Sequence, residues 1–392
     1  MKTKIILLLF LLNLAQANQS LFKKNIDKYD HQIIKIINNA KIQNFNSDNL
    51  DWLKAKISER KDIKIKIFGD SHTAPDIFSS EIRNDLFKPS AVGFVYPLFP
   101  RYHRNLLTQY NSSFFEVINS LHTNNLDYPM GGVIARAKNI RAQISLDVLL
   151  EHKNFITNFV FQSPKALAAF EITDSNGKKI ILGSKNAQTW EISKDYELRY
   201  PITIKALIPN AKLGGYFIYN KQDNNLIDHM GINGARSDLW LKWNQSIMDK
   251  ELQIIQYDLV ILSYGSNDAF SKNFDPQNFT GNYKVLIRKI RKYNPNAVIL
   301  LVAPPTVVSN KNSKKYEIVP NFYSVKQAIK KLAIDEKTLL FDMDDLMEKT
   351  GKKNKWIEMG LSKHDVHLTP LGYRTIGNAI YKSLIEILKI KE

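Results

Sequence analysis

The run Ile63-Lys64-Ile65-Lys66-Ile67-Phe68 ends at Gly69, and the next strand-like run of the same α/β pattern begins only at Leu226. The first run alternates apolar and charged residues until its last position, as a strand does, and Gly69 supplies the turn. Asp76 to Phe87 then reads as a helix, with Pro75 suited to a first turn. From residue 226 the alternation resumes: strand Leu226 to Ile232, helix Asp238 to Leu252, buried strand Tyr257 to Tyr264, helix Tyr283 to Tyr293 and strand Ala297 to Ala303. Helix Tyr323 to Ala333, strand Thr338 to Phe341 and helix Pro370 to Leu388 complete it. Five strands interleaved with helices predict one parallel sheet with right-handed crossovers, interrupted once by a long insertion.

The interruption has another texture. Ala168 to Thr173 and Lys178 to Leu182 flank Ser175-Asn176-Gly177, a hairpin signal. Ile202, Ile204 and Ala206 alternate with Thr203 and Lys205, and Tyr216 to Tyr219 is a further aromatic strand. Residues 104–225 therefore read as an inserted antiparallel β-sandwich, and residues 18–103 and 226–392 as the two parts of the α/β domain. Ahead of the first strand, Ile26, Ile33, Ile34 and Ile37 recur at helical spacing between Leu21 and Ala40, and a second helix is expected from a cap at Ser47 or Asp48 to Arg60.

The N-terminus reads as an export signal. Lys2 and Lys4 precede the apolar run Ile5 to Leu12, and Ala15-Gln16-Ala17 offers a small-residue cleavage site before Asn18. The run is too short for a stop-transfer helix, so residues 1–17 are expected to be removed and no integral membrane segment to remain. The chain has no cysteine, which excludes disulfide frameworks, thiol nucleophiles and a lipidated cysteine. A bridge-free exported chain fits the bacterial periplasm or the cell exterior, and the periplasm is the location expected here. The formal charge of +17 favours polyanionic partners or reflects dispersed solvated lysines. No basic run interleaves base-stacking aromatics, so a nucleic-acid partner is not expected.

Three short words carry the chemistry. Gly69-Asp70-Ser71-His72 closely follows the first strand and precedes a helix, so the Ser71 hydroxyl can project from the sheet edge with its own N–H facing an oxyanion. Gly265-Ser266-Asn267-Asp268 follows the buried strand and supplies an amide donor, while Gly234 ends the preceding strand with a backbone N–H. Asp365-Val366-His367 stands just before the last helix, whose cap is Thr369 and whose first residue is Pro370. Nucleophile, oxyanion donors and base together are what acyl transfer requires, with no metal or cofactor.

With all four landmarks in order, the chain resembles the SGNH, or GDSL-like, hydrolases over roughly residues 60 to 100 and 226 to 390. Gly69 to Ala74 and Val92 to Pro97 resemble more narrowly the bacterial peptidoglycan O-acetylesterases, in which a β-rich, carbohydrate-binding-like module interrupts the catalytic domain. The resemblance implies a flavodoxin-like three-layer fold and removal of acetyl from the C6 hydroxyl of muramic acid. Ser71, Asp365 and His367 would be the catalytic residues, and Ser71, Gly234 and Asn267 the oxyanion hole. One departure concerns the acid: the family writes Asp-x-x-His, whereas here His364 occupies that position, so either Asp365, two before His367, orients the imidazole through a shifted loop or another carboxylate or a water does. The alternatives are an O-acetyltransferase, a lipase or thioesterase, and a non-enzymatic wall-binding module.

Overall fold

The computed structural model describes residues 28–312 and 315–390; the expected export signal, 1–17, lies outside them. Strands of the α/β layer are numbered here within that layer: β1 Ile42–Asn44, β2 Lys64–Gly69, β3 Leu226–Gly231, β4 Leu259–Ser263, β5 Val298–Ala303 and β6 Leu339–Asp342. Their spatial order is β1-β6-β5-β4-β2-β3. All neighbours from β6 to β3 are parallel. The five-stranded parallel sheet thus has the doubly wound order whose switch point lies between its first and third members, β2 and β4. A sixth strand, β1, pairs antiparallel with β6 at the edge; its three residues carry no alternation long enough to be read from sequence.

Among the described residues ten helices accompany the layer: α1 28–39, α2 Leu50–Glu59, α3 Ile77–Leu86, α4 Gln245–Ile254, α5 Ser266–Ala269, α6 Pro276–Tyr293, α7 Phe322–Asp335, α8 Met343–Lys349, α9 Lys352–Glu358 and α10 Pro370–Ile387. The period-two alternation of the strands divides the core. Ile65, Ile67, Ile261, Leu300 and Val302 share one apolar cluster with Phe78, Ile82, Ile376 and Ile380 of α3 and α10. Phe68, Val260, Leu262, Ile299 and Leu301 share the opposite one with Met248, Ile287 and Ile329 of α4, α6 and α7. Three layers result.

Several helix boundaries differ from the sequence reading for local reasons. The run from Asp238 is not one helix: Leu239–Lys242 forms a tight 3-10 turn, and α4 starts only where the Asn244 side chain accepts a hydrogen bond from the Ile247 N–H. Asn244 is held there because its own N–H is taken by the Tyr128 carbonyl of the insertion. α6 begins seven residues before Tyr283, where Asp275 caps Gln277 and Pro276 opens the helix. α2 is preceded by Asn49 in a left-handed conformation, with no side-chain cap from Ser47 or Asp48. On α1 the buried face is Tyr29, Ile33 and Ile36, while Ile34 is exposed; Ile26 lies outside the described residues.

The insertion forms two antiparallel sheets of five and seven strands. Ile144, Leu146, Ile172 and Ile204 of one face Phe155, Phe159, Phe161 and Leu213 of the other across a shared core, a β-sandwich. The Ala168–Thr173 and Lys179–Gly183 hairpin pairs as the sequence suggested. Gly93–Val95 also belongs to the larger sheet, pairing with Lys212–Tyr219. The sandwich is anchored to the α/β layer by buried polar contacts. The Phe94 N–H donates to Asp228 of β3, whose other carboxylate oxygen lies 2.6 Å from Lys66 Nζ on β2. The Met130 N–H donates to Glu251 of α4 at 2.8 Å.

Candidate active site

Three adjacent parallel strands end at one level: Gly231 of β3 and Ser263 of β4 both stand opposite Gly69 of β2. Ser71, Gly234 and Asn267 follow these ends by a few residues each, which gathers the first two words and the glycine loop at the switch point. Glycine at 69 is a steric necessity, since a Cβ there would lie 2.1 Å from Thr73 Oγ1 and 2.8 Å from the Ser263 carbonyl. The chain folds back at once, with the Ala74 N–H donating to the Asp70 carbonyl at 3.1 Å. Ser71 is thereby set on a tight bend between β2 and α3.

The third word meets it from the far end of the chain. His367 Nε2 lies 3.1 Å from Ser71 Oγ, and His367 Nδ1 lies 3.2 Å from Asp365 Oδ1. The same Asp365 oxygen accepts the His367 backbone N–H at 2.8 Å. This local turn explains how a two-residue spacing can bring a carboxylate to the ring: one oxygen serves both the main chain and the imidazole. His364 at the family's usual position is exposed, and Asp365 stands beside the ring. Burial alone would raise the Asp365 pKa, but the His367 N–H and imidazole outweigh it and hold the carboxyl below its ordinary value.

The bend carrying Asp365 and His367 is pinned from several sides. Lys353 Nζ of α9 donates to the Asp365 carbonyl at 2.7 Å and to Ser362 Oγ at 3.0 Å. The Lys363 N–H donates to the His367 carbonyl at 2.9 Å, and Thr369 caps α10 through the Gly372 N–H. Burial lowers the Lys353 ammonium to about 8, although Asp365 and Asp344 pull the other way.

Asn267 sits in the single turn of α5. Its Nδ2 donates to the Ala235 carbonyl at 2.9 Å and approaches Asp70 Oδ2 at 3.4 Å, so its amide spans the glycine loop and the serine bend. Gly234 has φ +84°, a left-handed conformation that favours glycine, and a Cβ there would meet Leu121 of the insertion at 3.1 Å. The sandwich therefore reaches the edge of this loop. Burial, with Asp268 adding to it, pushes the Asp70 carboxyl up to about 7.

His72, which sequence adjacency alone gave no role, ties the first two words to α10, the helix behind the third. Its Nε2 lies 2.9 Å from Ser266 Oγ and its Nδ1 2.9 Å from Tyr373 Oη, while its N–H donates to Asp70 Oδ1. Burial first, then His367 and Lys353, lower its pKa to about 3, so the ring stays neutral at any working pH. Tyr373 could have been found as the residue after Leu371-Gly372; Lys353 carried no sequence signal at all. Among the described residues no group of three or more His, Cys, Asp or Glu is placed to hold a metal ion.

Comparison with known proteins gives the chemistry a family. Residues 210–375, which include Gly234, Asn267, Asp365 and His367, match the GDSL-like Lipase/Acylhydrolase family. Residues 91–203, which begin just ahead of the β-rich insertion and run through most of it, match the family described as Peptidoglycan O-acetylesterase, N-terminal. A solved structure of a peptidoglycan O-acetylesterase in action at 5 min shares the fold, with 24% identity, 89% of this chain and 99% of that chain covered, and a TM-score of 0.76. The crystal structure of an acetyl xylan esterase is 26% identical over 40% of this chain and 80% of that one, with a TM-score of 0.33. No protein of curated function matches the chain. The chain thus joins a GDSL-like lipase/acylhydrolase segment to a peptidoglycan O-acetylesterase N-terminal segment, a combination that makes it a carboxylic ester hydrolase.

Proposed function

We propose that the protein is an exported serine esterase that removes acetyl from the C6 hydroxyl of muramic acid in peptidoglycan through an acetyl-serine intermediate. The observation that carries the reading is the hydrogen-bonded line Ser71 Oγ, His367, Asp365 in a chain with a peptidoglycan O-acetylesterase segment. His367 Nε2 takes the Ser71 proton as Oγ attacks the acetyl carbonyl, and Asp365 holds the proton on Nδ1. The Asn267 amide and the N–H groups of Ser71 and Gly234 receive the oxyanion. As the tetrahedral intermediate collapses, His367 gives its proton to the departing sugar oxygen. Water then loses a proton to the same imidazole and attacks the acetyl-serine carbonyl, and as that intermediate collapses His367 returns the proton to Ser71 Oγ, releasing acetate and the free serine.

The substrate lies outside the cytoplasmic membrane, which agrees with an export signal at 1–17 and a periplasmic location. Among the described residues no helix is long and apolar enough to cross a membrane. The β-rich unit is read as a glycan-holding module, and the pairing of Gly93–Val95 with Lys212–Tyr219 supports drawing its start near residue 91 rather than 104. Acetate release from O-acetylated peptidoglycan, compared between wild type and Ser71→Ala, tests the reading. Rapid release by the wild type alone is expected, and equal release by both would overturn it.

A further inference from the structure

The mechanism leaves unused a polar pocket on the flank of the candidate oxyanion donors. It has a volume of about 270 Å³ and lies between the Arg236–Asp238 turn, two residues beyond Gly234, and the start of α6; Asp268, next to Asn267, lines its wall. This is below the ~300–1,000 Å³ of clefts that enclose a drug-sized ligand, and suits a single ring at the edge of a larger site. Three asparagines, 273, 278 and 282, border it together with the half-buried Phe274. Asn278 and Asn282 stand four apart on α6 and so share one face. None of the three amides has a hydrogen-bond partner among the described residues, whereas Asp268 is already engaged by the Ser237 N–H and Oγ. Arg236 is paired with Asp238 at 2.9 Å.

We propose that this pocket is a subsite for the neutral N-acetylated sugar adjoining the residue whose acetyl ester reaches Ser71; the inference rests on the proposed function above. Its chemistry favours a neutral polyhydroxylated ring. Each free amide offers donors and an acceptor, Asp238 and Asp275 offer acceptors, and Phe274 an apolar surface. One arginine, already paired, faces Asp238, Asp268 and Asp275, so an anionic ligand meets net repulsion there. That separates a neutral sugar from the carboxylate-bearing lactyl and stem-peptide groups. The pocket borders both the Gly234 loop and the Asn267 turn, so a sugar held in it constrains how its neighbour presents an ester to Ser71.

The test uses the full chain with Asn273→Ala alone and Asn278→Ala with Asn282→Ala. The helical pair replaces asparagine by a better helix former, so the fold is expected to hold, which a thermal melt checks. The readout is the ratio of kcat/KM on O-acetylated glycan strands stripped of stem peptides to kcat/KM on 4-nitrophenyl acetate. Loss of two sugar hydrogen bonds in the helical variant should lower that ratio about tenfold, mostly through KM. An unchanged ratio, with wild type active on the strands, overturns the subsite and leaves the esterase reading intact. A fall seen only when stem peptides are present also overturns it, in favour of a peptide contact. Wild type that cleaves the aryl ester but not the strands contradicts the proposed function and the subsite together.

Discussion

His72 Nε2 lies 2.9 Å from the hydroxyl of Ser266, the first residue of the turn that carries Asn267. With Tyr373 on its other nitrogen, one buried, neutral imidazole fixes the serine bend to the amide donor and to the helix behind His367. His72→Ala leaves two hydroxyls without this partner and a cavity beneath Ser71. A stability loss of about 2–4 kcal/mol is expected in denaturant titration. kcat should fall as well, because three separately held groups lose a common anchor. Full kcat with a normal melt would show the tie to be dispensable.

Asp365→Asn should lower kcat by about 10²- to 10⁴-fold, because an amide no longer favours the proton on His367 Nδ1. His364→Ala should stay near wild type, the side chain being exposed. Steady-state kinetics on an aryl acetate checks both, and the reverse pattern would move the acid's role to the neighbouring position.

Removal of one of the proposed oxyanion donors is the next expectation. Asn267→Ala should cost about 2.7–4 kcal/mol of transition-state stabilisation, seen in kcat more than in KM. A loss confined to KM would mean that Asn267 binds substrate without holding developing charge.

Much of this site was legible because its requirements are local. Gly69 is demanded by a bend that leaves no room for a Cβ, and Thr369 with Pro370 announces the helix after His367. The five parallel strands were legible for the same reason, as each buries an apolar run long enough to read. β1 was not, being three residues long, and the start of α4 was not, because a carbonyl of the distant insertion decides it. Lys353 and the coupling through His72 depend on contacts between residues far apart in sequence. Spacing cannot encode them.

Buried Glu251 links stability to pH. Desolvation, partly offset by the Met130 N–H and Lys66, pushes its carboxyl from an ordinary 4.5 up to about 8. Between roughly pH 5 and 8 the folded protein keeps a proton that the unfolded chain has released, so this group's contribution is full below about 4.5 and is lost as pH rises through 8. Glu251→Gln removes that titration while keeping an acceptor for Met130. The variant's stability should therefore improve relative to wild type as pH rises from 5 to 8. Glu251 also helps to keep the buried Lys66 ammonium charged, so the difference between the two proteins reports the Glu251–Lys66 pair. Parallel curves would place its pKa outside this window.

In the proposed mechanism Ser71 carries the acyl group. Wild type mixed with an activated acetate ester, quenched in acid within the first turnovers and digested, should yield an acetyl adduct on the peptide containing Ser71. Ser71→Ala should yield none, and Asn267→Ala should accumulate it more slowly. An adduct that persists in Ser71→Ala, or turnover in wild type with the label on another residue, would contradict the account.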